Sequence, residues 1–304
     1  MEFRPLTGLV AAAHTPFTAD GALNLAVVEQ QAAHFAANGI STAFVGGSTG
    51  ESHSLNVDER RALAERWLAV TAGSALDVVV HVGSNCLVDS RALAAQAQQL
   101  GARAVAALAP SYFKPKDVGV LLDCCAQIAA GAPELPFYYY DIPALTGVSL
   151  PMVEFLTRAP ERIPNLVGIK WTNPDLAAYQ LCRALPGGFD LPWGNDEYLA
   201  AALTLGARGA VGSTYCWSAP IYLRLMAALA AGDLETVRTE QWRSARMVQI
   251  LASYGFMGAA KAVMGMLGVP VGPARLPNPT PTPEAVAQLR AELEQVGFFG
   301  WIGR

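Results

Sequence analysis

Lysine is scarce in this chain: the 304 residues include only Lys114, Lys116, Lys170 and Lys261. Charged residues make up 15%, against about 25% in an average soluble domain, a shortage that points to surface covered by other copies of the chain. The formal net charge is -4 and no long basic run is present, so a nucleic acid finds no electrostatic footprint. No apolar run reaches the roughly 18 residues that a membrane-spanning helix needs. The start, Met1-Glu2-Phe3-Arg4-Pro5, lacks the apolar core of a signal peptide. The expectation is therefore cytoplasmic, with neither a membrane nor a nucleic acid as partner. Cys86, Cys124, Cys125, Cys182 and Cys216 are odd in number and scattered, with no Cys-x-x-Cys pair, which favours reduced thiols over a disulfide framework. The histidines show no His-x-x-x-His spacing and the cysteines do not complement them, so no metal site is expected. No Ser-His-Asp context supports hydrolase chemistry.

What is present is apolar and periodic, with 52% hydrophobic residues. Short β-rich runs alternate with amphipathic helical patterns at intervals of roughly 25 to 30 residues, the signature of βαβ units. Eight strand candidates are Gly8 to Ala13, Thr42 to Val45, Asp77 to Val82, Ala104 to Leu108, Pro136 to Tyr140, Leu166 to Lys170, Asp190 to Trp193 and Gly209 to Gly212. Helical patterns lie between them, with Asn56 capping the one from Val57 and Asn173 capping another that has Pro174 in its first turn. Eight alternating units make an α/β (β/α)8 TIM barrel the first choice. A doubly wound open sheet comes second, because no Gly-x-Gly-x-x-Gly turn follows the first strand. After Tyr215, the runs Pro220 to Ala231, Leu234 to Tyr254 and Ala259 to Leu267 read as successive helices with no strand between them. The proline-rich run from Leu276 to Pro283 reads as an extended connector, and Glu284 to Val296 as a last helix. The division expected is residues 1-231 for the barrel and 232-304 for a C-terminal helical extension.

Barrel chemistry sits at the C-terminal ends of the strands. Of the four lysines only Lys170 ends a strand, in Gly168-Ile169-Lys170-Trp171-Thr172. Low-dielectric walls there suit an amine nucleophile that forms a Schiff base. The turn Gly46-Gly47-Ser48-Thr49-Gly50-Glu51-Ser52 brings glycine backbone and the hydroxyls of Ser48 and Thr49 to another strand end, where they can hold a carboxylate. In Phe137-Tyr138-Tyr139-Tyr140-Asp141, alternation puts Tyr138 and Tyr140 on one face, with Tyr140 the natural proton-transfer phenol. Gly194-Asn195-Asp196-Glu197 and Gly212-Ser213-Thr214-Tyr215 gather carboxylates and hydroxyls suited to a polyhydroxylated ligand. His53 is positioned to back the anion turn, and His81 reads as core.

These segments, in this order, resemble the N-acetylneuraminate lyase and dihydrodipicolinate synthase family of pyruvate-dependent class I aldolases. The resemblance runs from Gly8-Leu9-Val10 and His14-Thr15-Pro16-Phe17 to Pro273-Ala274-Arg275-Leu276-Pro277. It implies a carbon-carbon lyase of homotetrameric assembly, with no cofactor beyond the covalent Schiff base through Lys170. Its substrates would be pyruvate and a sugar aldehyde, or the sugar acid they form. By the same resemblance Tyr140 is the acid/base, and Ser48 and Thr49 hold the pyruvate carboxylate. Tyr112 enters a neighbouring subunit's hydroxyl relay, and Thr172, Gly194, Asp196, Glu197 and Ser213 contact the sugar. Dihydrodipicolinate synthases carry an arginine after the catalytic tyrosine, where this chain has Ile142-Pro143-Ala144-Leu145-Thr146-Gly147; the Ala-Leu pair resembles the lyases and implies cleavage of a sialic acid. Alternatives are a synthase, or an aldolase or dehydratase of 2-keto-3-deoxy sugar acids. From another class comes a non-catalytic sugar-acid-binding barrel. Asp141 and Trp171 depart from the lyase pattern and bear on sugar selectivity.

Overall fold

The computed structural model describes residues 3–304. Seven parallel strands form one sheet: β1 (Gly8–Ala12), β2 (Thr42–Val45), β3 (Asp77–His81), β4 (Ala104–Leu108), β5 (Phe137–Asp141), β6 (Leu166–Trp171) and β7 (Gly209–Gly212). Their order, β6-β5-β4-β3-β2-β1-β7, leaves β6 and β7 at the two edges. Asp190–Trp193, expected as a regular eighth strand, instead closes the barrel as isolated bridges to Gly168, Trp171 and Ala210. The reason is local: Pro192 has no amide hydrogen, so it accepts from Trp171 N at 2.9 Å but cannot donate. Trp193 N donates to Gly209 O, and its carbonyl accepts from Val211 N, which completes the ring.

Alternation sorts the strand side chains into two apolar layers. Val10, Phe44, Val79, Tyr138, Tyr140 and Val211 belong to the cluster inside the barrel. Val45, Val80, Tyr139, Ile169 and Trp171 join the larger layer under the helices. Tyr138 and Tyr140 thus share the interior, as the sequence predicts, and Tyr139 packs outward on Phe155. Asn56 caps the helix Val57–Thr71 through a full capping box with Glu59. Asn173 is not the cap of the helix it precedes, as the sequence reading has it. That helix is Leu176–Arg183, and the Asp175 side chain accepts from Ala178 N.

The helix Tyr215–Ala230 begins one turn earlier than the sequence pattern indicates and is interrupted at Ser218 (φ -130°, ψ 23°). Pro220 inside it cannot donate to the carbonyl four residues back. That carbonyl, on Cys216, is taken up by His34 Nε2 at 2.9 Å. Helices Leu234–Ser253, Phe256–Met266 and Pro283–Gln295 follow. Among the described residues no single helix is long and apolar enough to cross a membrane.

Closure at the broken eighth strand depends on Gly168, where an added Cβ would lie 1.7 Å from the Asp190 carbonyl oxygen. Backbone cannot yield there as a side-chain tip can, so Gly168→Ala is expected to destabilise the protein by about 3 kcal/mol or more. Gly265, in the helix Phe256–Met266, has no atom within 4 Å of the same position, and Gly265→Ala should be neutral or stabilising by up to about 1 kcal/mol. Thermal unfolding of the two variants checks the contrast.

Candidate active site

Lys170 lies opposite Tyr140 in the β5-β6 register, and both side chains are buried at the C-terminal end of the barrel interior. Lys170 Nζ sits 3.6 Å from the Tyr140 ring centroid and 4.4 Å from that of Phe44, in a corner walled by two aromatic rings. Phe44 is held edge-on against Tyr140, and His81 likewise, with ring centroids 5.9 Å apart in each case. His81 Nδ1 donates to Gly46 O at 2.8 Å, and its Nε2 accepts from Leu108 N. Burial and the nearby Arg60 guanidinium pull this imidazole well below the usual histidine range. His81 is thus a buried residue, as its sequence position predicts, and spaces the Tyr140 ring from the anion turn in its neutral form. Phe44 was legible as the inward neighbour of Val45 two residues before Gly46, but nothing in its residue type pointed to the amine.

The anion turn folds tightly on itself. Gly46 has φ +68°, a conformation that glycine takes without strain. Glu51 N donates to Ser48 O and Thr15 Oγ1 to Gly50 O. Ser48 Oγ reaches the Tyr140 hydroxyl at 3.3 Å, so three of the predicted residues, Lys170, Tyr140 and Ser48, meet directly. Thr49 lies beside Ser48, half-buried. His53 is partly exposed beyond the turn, its Nδ1 3.3 Å from Ser52 Oγ. A cavity of about 670 Å3 opens from Ser48 beneath Leu145, Phe256 and Pro279. Tyr112 stands apart: its side chain is 77% exposed, edge-on to the 86% exposed Phe113. Within one chain it does not join the Ser48–Tyr140 pair.

On the other side of Lys170 the strand ends carry Thr172, Gly194, Asp196, Glu197 and Ser213. Thr172 Oγ1 is buried and makes no hydrogen bond within the chain. Gly194 makes room for it, since a Cβ there would lie 2.0 Å from that oxygen. Gly212 does the same for Asp196, whose Oδ1 would lie 1.9 Å from its Cβ. Asp196 Oδ2 accepts from Thr214 N at 3.0 Å and Thr214 Oγ1 at 2.6 Å, and Thr214 Oγ1, its one proton given to the carboxylate, lies 2.6 Å from the Tyr222 hydroxyl. Burial raises the Asp196 carboxyl to about 6, against those hydrogen bonds. Glu197 and Ser213 are half-buried on either side.

The two departures named from sequence face away from this interior. Trp171 is fully buried under the helices, edge-on to Tyr179, and donates Nε1 to Asn173 O at 2.8 Å. Asp141 is buried on the outer face of β5, accepts from Asn173 Nδ2 at 3.0 Å, and is raised to about 6 by burial. Both shape the segment after β6 rather than line the ligand space. Sequence patterning does not single out Lys261, a lysine in an Ala/Met-rich helix, which is fully buried at 2.6 Å from the carboxylate of Glu51. Its scarcity in the chain was the available signal. No group of three or more His, Cys, Asp or Glu that could hold a metal ion occurs among the described residues.

Residues 5–296 match the model of the Dihydrodipicolinate synthetase family. The chain is 38% identical over 298 residues to an N-acetylneuraminate lyase of Gallus gallus, with 96% of this chain and 97% of that protein covered. The solved N-acetylneuraminate lyase of Proteus mirabilis superposes with a TM-score of 0.94 at 38% identity, covering 97% of this chain and 100% of that one. A dihydrodipicolinate synthase from Cyanidioschyzon merolae, solved with lysine bound, has a TM-score of 0.88 at 29% identity, covering 96% and 98%.

Because the folded-state value of Asp196 lies above its ordinary 3.8, protonation favours the folded protein. The charged carboxylate therefore costs stability above about pH 6, and the cost fades as pH falls through that value. Asp196→Asn keeps an oxygen for the Thr214 amide and should raise the melting temperature by a few degrees at pH 7.5, with the gain shrinking at pH 5. Melting curves of both proteins at the two pH values check this.

Proposed function

The chain belongs to the dihydrodipicolinate synthetase family, and from that membership we propose that it is a class I aldolase that reversibly cleaves N-acetylneuraminate to N-acetylmannosamine and pyruvate. The observation that carries this reading is the placement of Lys170 against the Tyr140 ring, with Ser48 at the Tyr140 hydroxyl. The 38% identity over nearly the full length to the lyases of Gallus gallus and Proteus mirabilis, against 29% to the Cyanidioschyzon merolae synthase, supports the lyase branch, as does the lack of an arginine in Ile142 to Gly147.

In the proposed mechanism the neutral Lys170 amine attacks the C2 ketone of the open-chain sugar acid, and loss of water leaves a protonated imine. The Phe44 and Tyr140 rings accommodate its positive charge. Tyr140, assisted by Ser48, takes the C4 hydroxyl proton as the C3–C4 bond breaks, and the bonding pair moves into the imine to give an enamine. Protonation at C3 and hydrolysis return the amine and release pyruvate. The lysine supplies the covalent chemistry, so the route needs no metal or organic cofactor. Ser48 and Thr49 hold the pyruvate carboxylate. Thr172, Gly194, Asp196, Glu197 and Ser213 face the sugar, a role supported by the unpartnered Thr172 hydroxyl.

The site is completed in a homotetramer in the cytoplasm. The exposed Tyr112–Phe113 pair supports assembly, since two large aromatic rings bare to water favour burial against another copy, where Tyr112 joins the hydroxyl relay. Borohydride reduction with pyruvate, followed by peptide mass analysis, should place the adduct on Lys170; an unmodified Lys170 would end the aldolase reading. Tyr140→Phe is expected to retain imine trapping while cleavage slows by roughly 10²–10⁴-fold. Cleavage rates on N-acetylneuraminate compared with a 2-keto-3-deoxy sugar acid decide between the lyase and its near relatives.

A further inference from the structure

Glu51 is the one residue other than glycine with a positive φ, +53°, among the described residues. It occupies the left-handed region, where a Cβ is strained and glycine would sit freely. Its side chain offsets that strain with contacts that no glycine makes. The carboxylate lies 2.6 Å from Lys261 Nζ, and its Oε2 accepts from Arg275 N at 2.8 Å. Lys261 Nζ also donates to Thr15 O at 2.9 Å and Pro273 O at 2.8 Å, and sits 4.2 Å from the centroid of the Phe17 ring. Both ends of the ion pair are buried. Arg275 in turn grips Glu59 with two nitrogens, at 2.6 and 2.8 Å, and donates to Ser54 O and Gly21 O.

Glu51 is the fourth residue of the tight turn that starts at Ser48, whose carbonyl accepts from Glu51 N. Thr15 ties the two systems together, because its Oγ1 donates to Gly50 O while its own carbonyl accepts from Lys261. The turn that carries Ser48 and Thr49 is therefore fastened from behind by a helix and a connector distant in sequence. We propose that Glu51, Lys261 and Arg275 form a positioning device that holds the Ser48-Thr49 turn in its carboxylate-accepting shape. Glu51 and Lys261 touch no reacting atom; they act through the turn. The proposal rests on the aldolase reading, deepening it at the carboxylate end of the site.

The test compares two small ketones that differ in the carboxylate, trapped by borohydride on the full-length protein: pyruvate and acetone. Both can form an imine with Lys170, but only pyruvate needs the turn. Glu51→Gln alone leaves the Lys261 cation without its partner, so the double variant Glu51→Gln/Lys261→Met, which removes both charges together, is measured beside it. In the folded double variant, the pyruvate concentration for half-maximal trapping should rise roughly 10-fold or more, while acetone trapping at Lys170 stays within about 2-fold of the parent. In turnover the same variant should show the loss in KM for pyruvate rather than in kcat. An unchanged pyruvate dependence in the folded double variant, or an equal loss for both ketones, overturns the proposal. Absence of any Lys170 adduct in the parent protein would instead strike the aldolase reading itself, so the two failures are distinguishable.

Discussion

The pairing of β5 with β6 in a register that sets Tyr140 beside Lys170 is the constraint on which the site depends. Adjacent parallel strands run about 4.8 Å apart, and side chains of paired residues on one face have no choice but to meet. The register is held on the inside by the packing of Phe44 and His81 against Tyr140, and on the outside by Trp171 and Tyr139 among the helices. A slip of one residue would exchange those two faces and send the lysine into the outer layer. The aromatic corner around the amine and the packing of the outer layer are thus two readings of one alignment.

Much of this was legible in the chain because strand alternation is a short-range property. The inward placement of Tyr138 and Tyr140, and the position of Lys170 at a strand end, follow from period-two patterning. The anion turn announces itself through Gly46, Gly47 and Gly50. The features that escaped are those whose physics is long-range. Pro192 shows that a strand pattern can be interrupted by one missing donor while the bridges on either side survive. Asn173 has every local mark of a cap, yet its side chain is drawn to Asp141 across a strand pair. Lys261 contacts Glu51 from more than two hundred positions away, and helical patterning cannot disclose the partner of a buried cation.

The C-terminal segment is more than an appendage to the barrel. Arg275 binds Glu59 at the head of the second barrel helix and the carbonyls of Gly21 and Ser54. Phe17 has two cations against its ring, with Lys261 and Arg275 each 4.2 Å from the centroid. A buried pair such as Glu51–Lys261 contributes little net stability when intact. Its geometry is nevertheless exacting, because either charge left alone in that site would be costly, and this makes the pair a device for specifying one arrangement.

The broken strand at Asp190–Trp193 divides the rim of the barrel into two mechanical regimes. Ser48 follows, and Tyr140 sits on, strands paired on both edges within the sheet, whereas Thr172, Gly194, Asp196 and Ser213 flank the seam, where Pro192 leaves a gap in the amide bonds to β6 and Trp193 alone bonds to β7. Lys170 stands at the border between them. Sequence change along the seam can therefore reshape the side that carries Thr172, Gly194, Asp196 and Ser213 without disturbing the pairing that sets Lys170 beside Tyr140. One scaffold in this way keeps the amine and the phenol aligned and leaves the opposite rim open to variation.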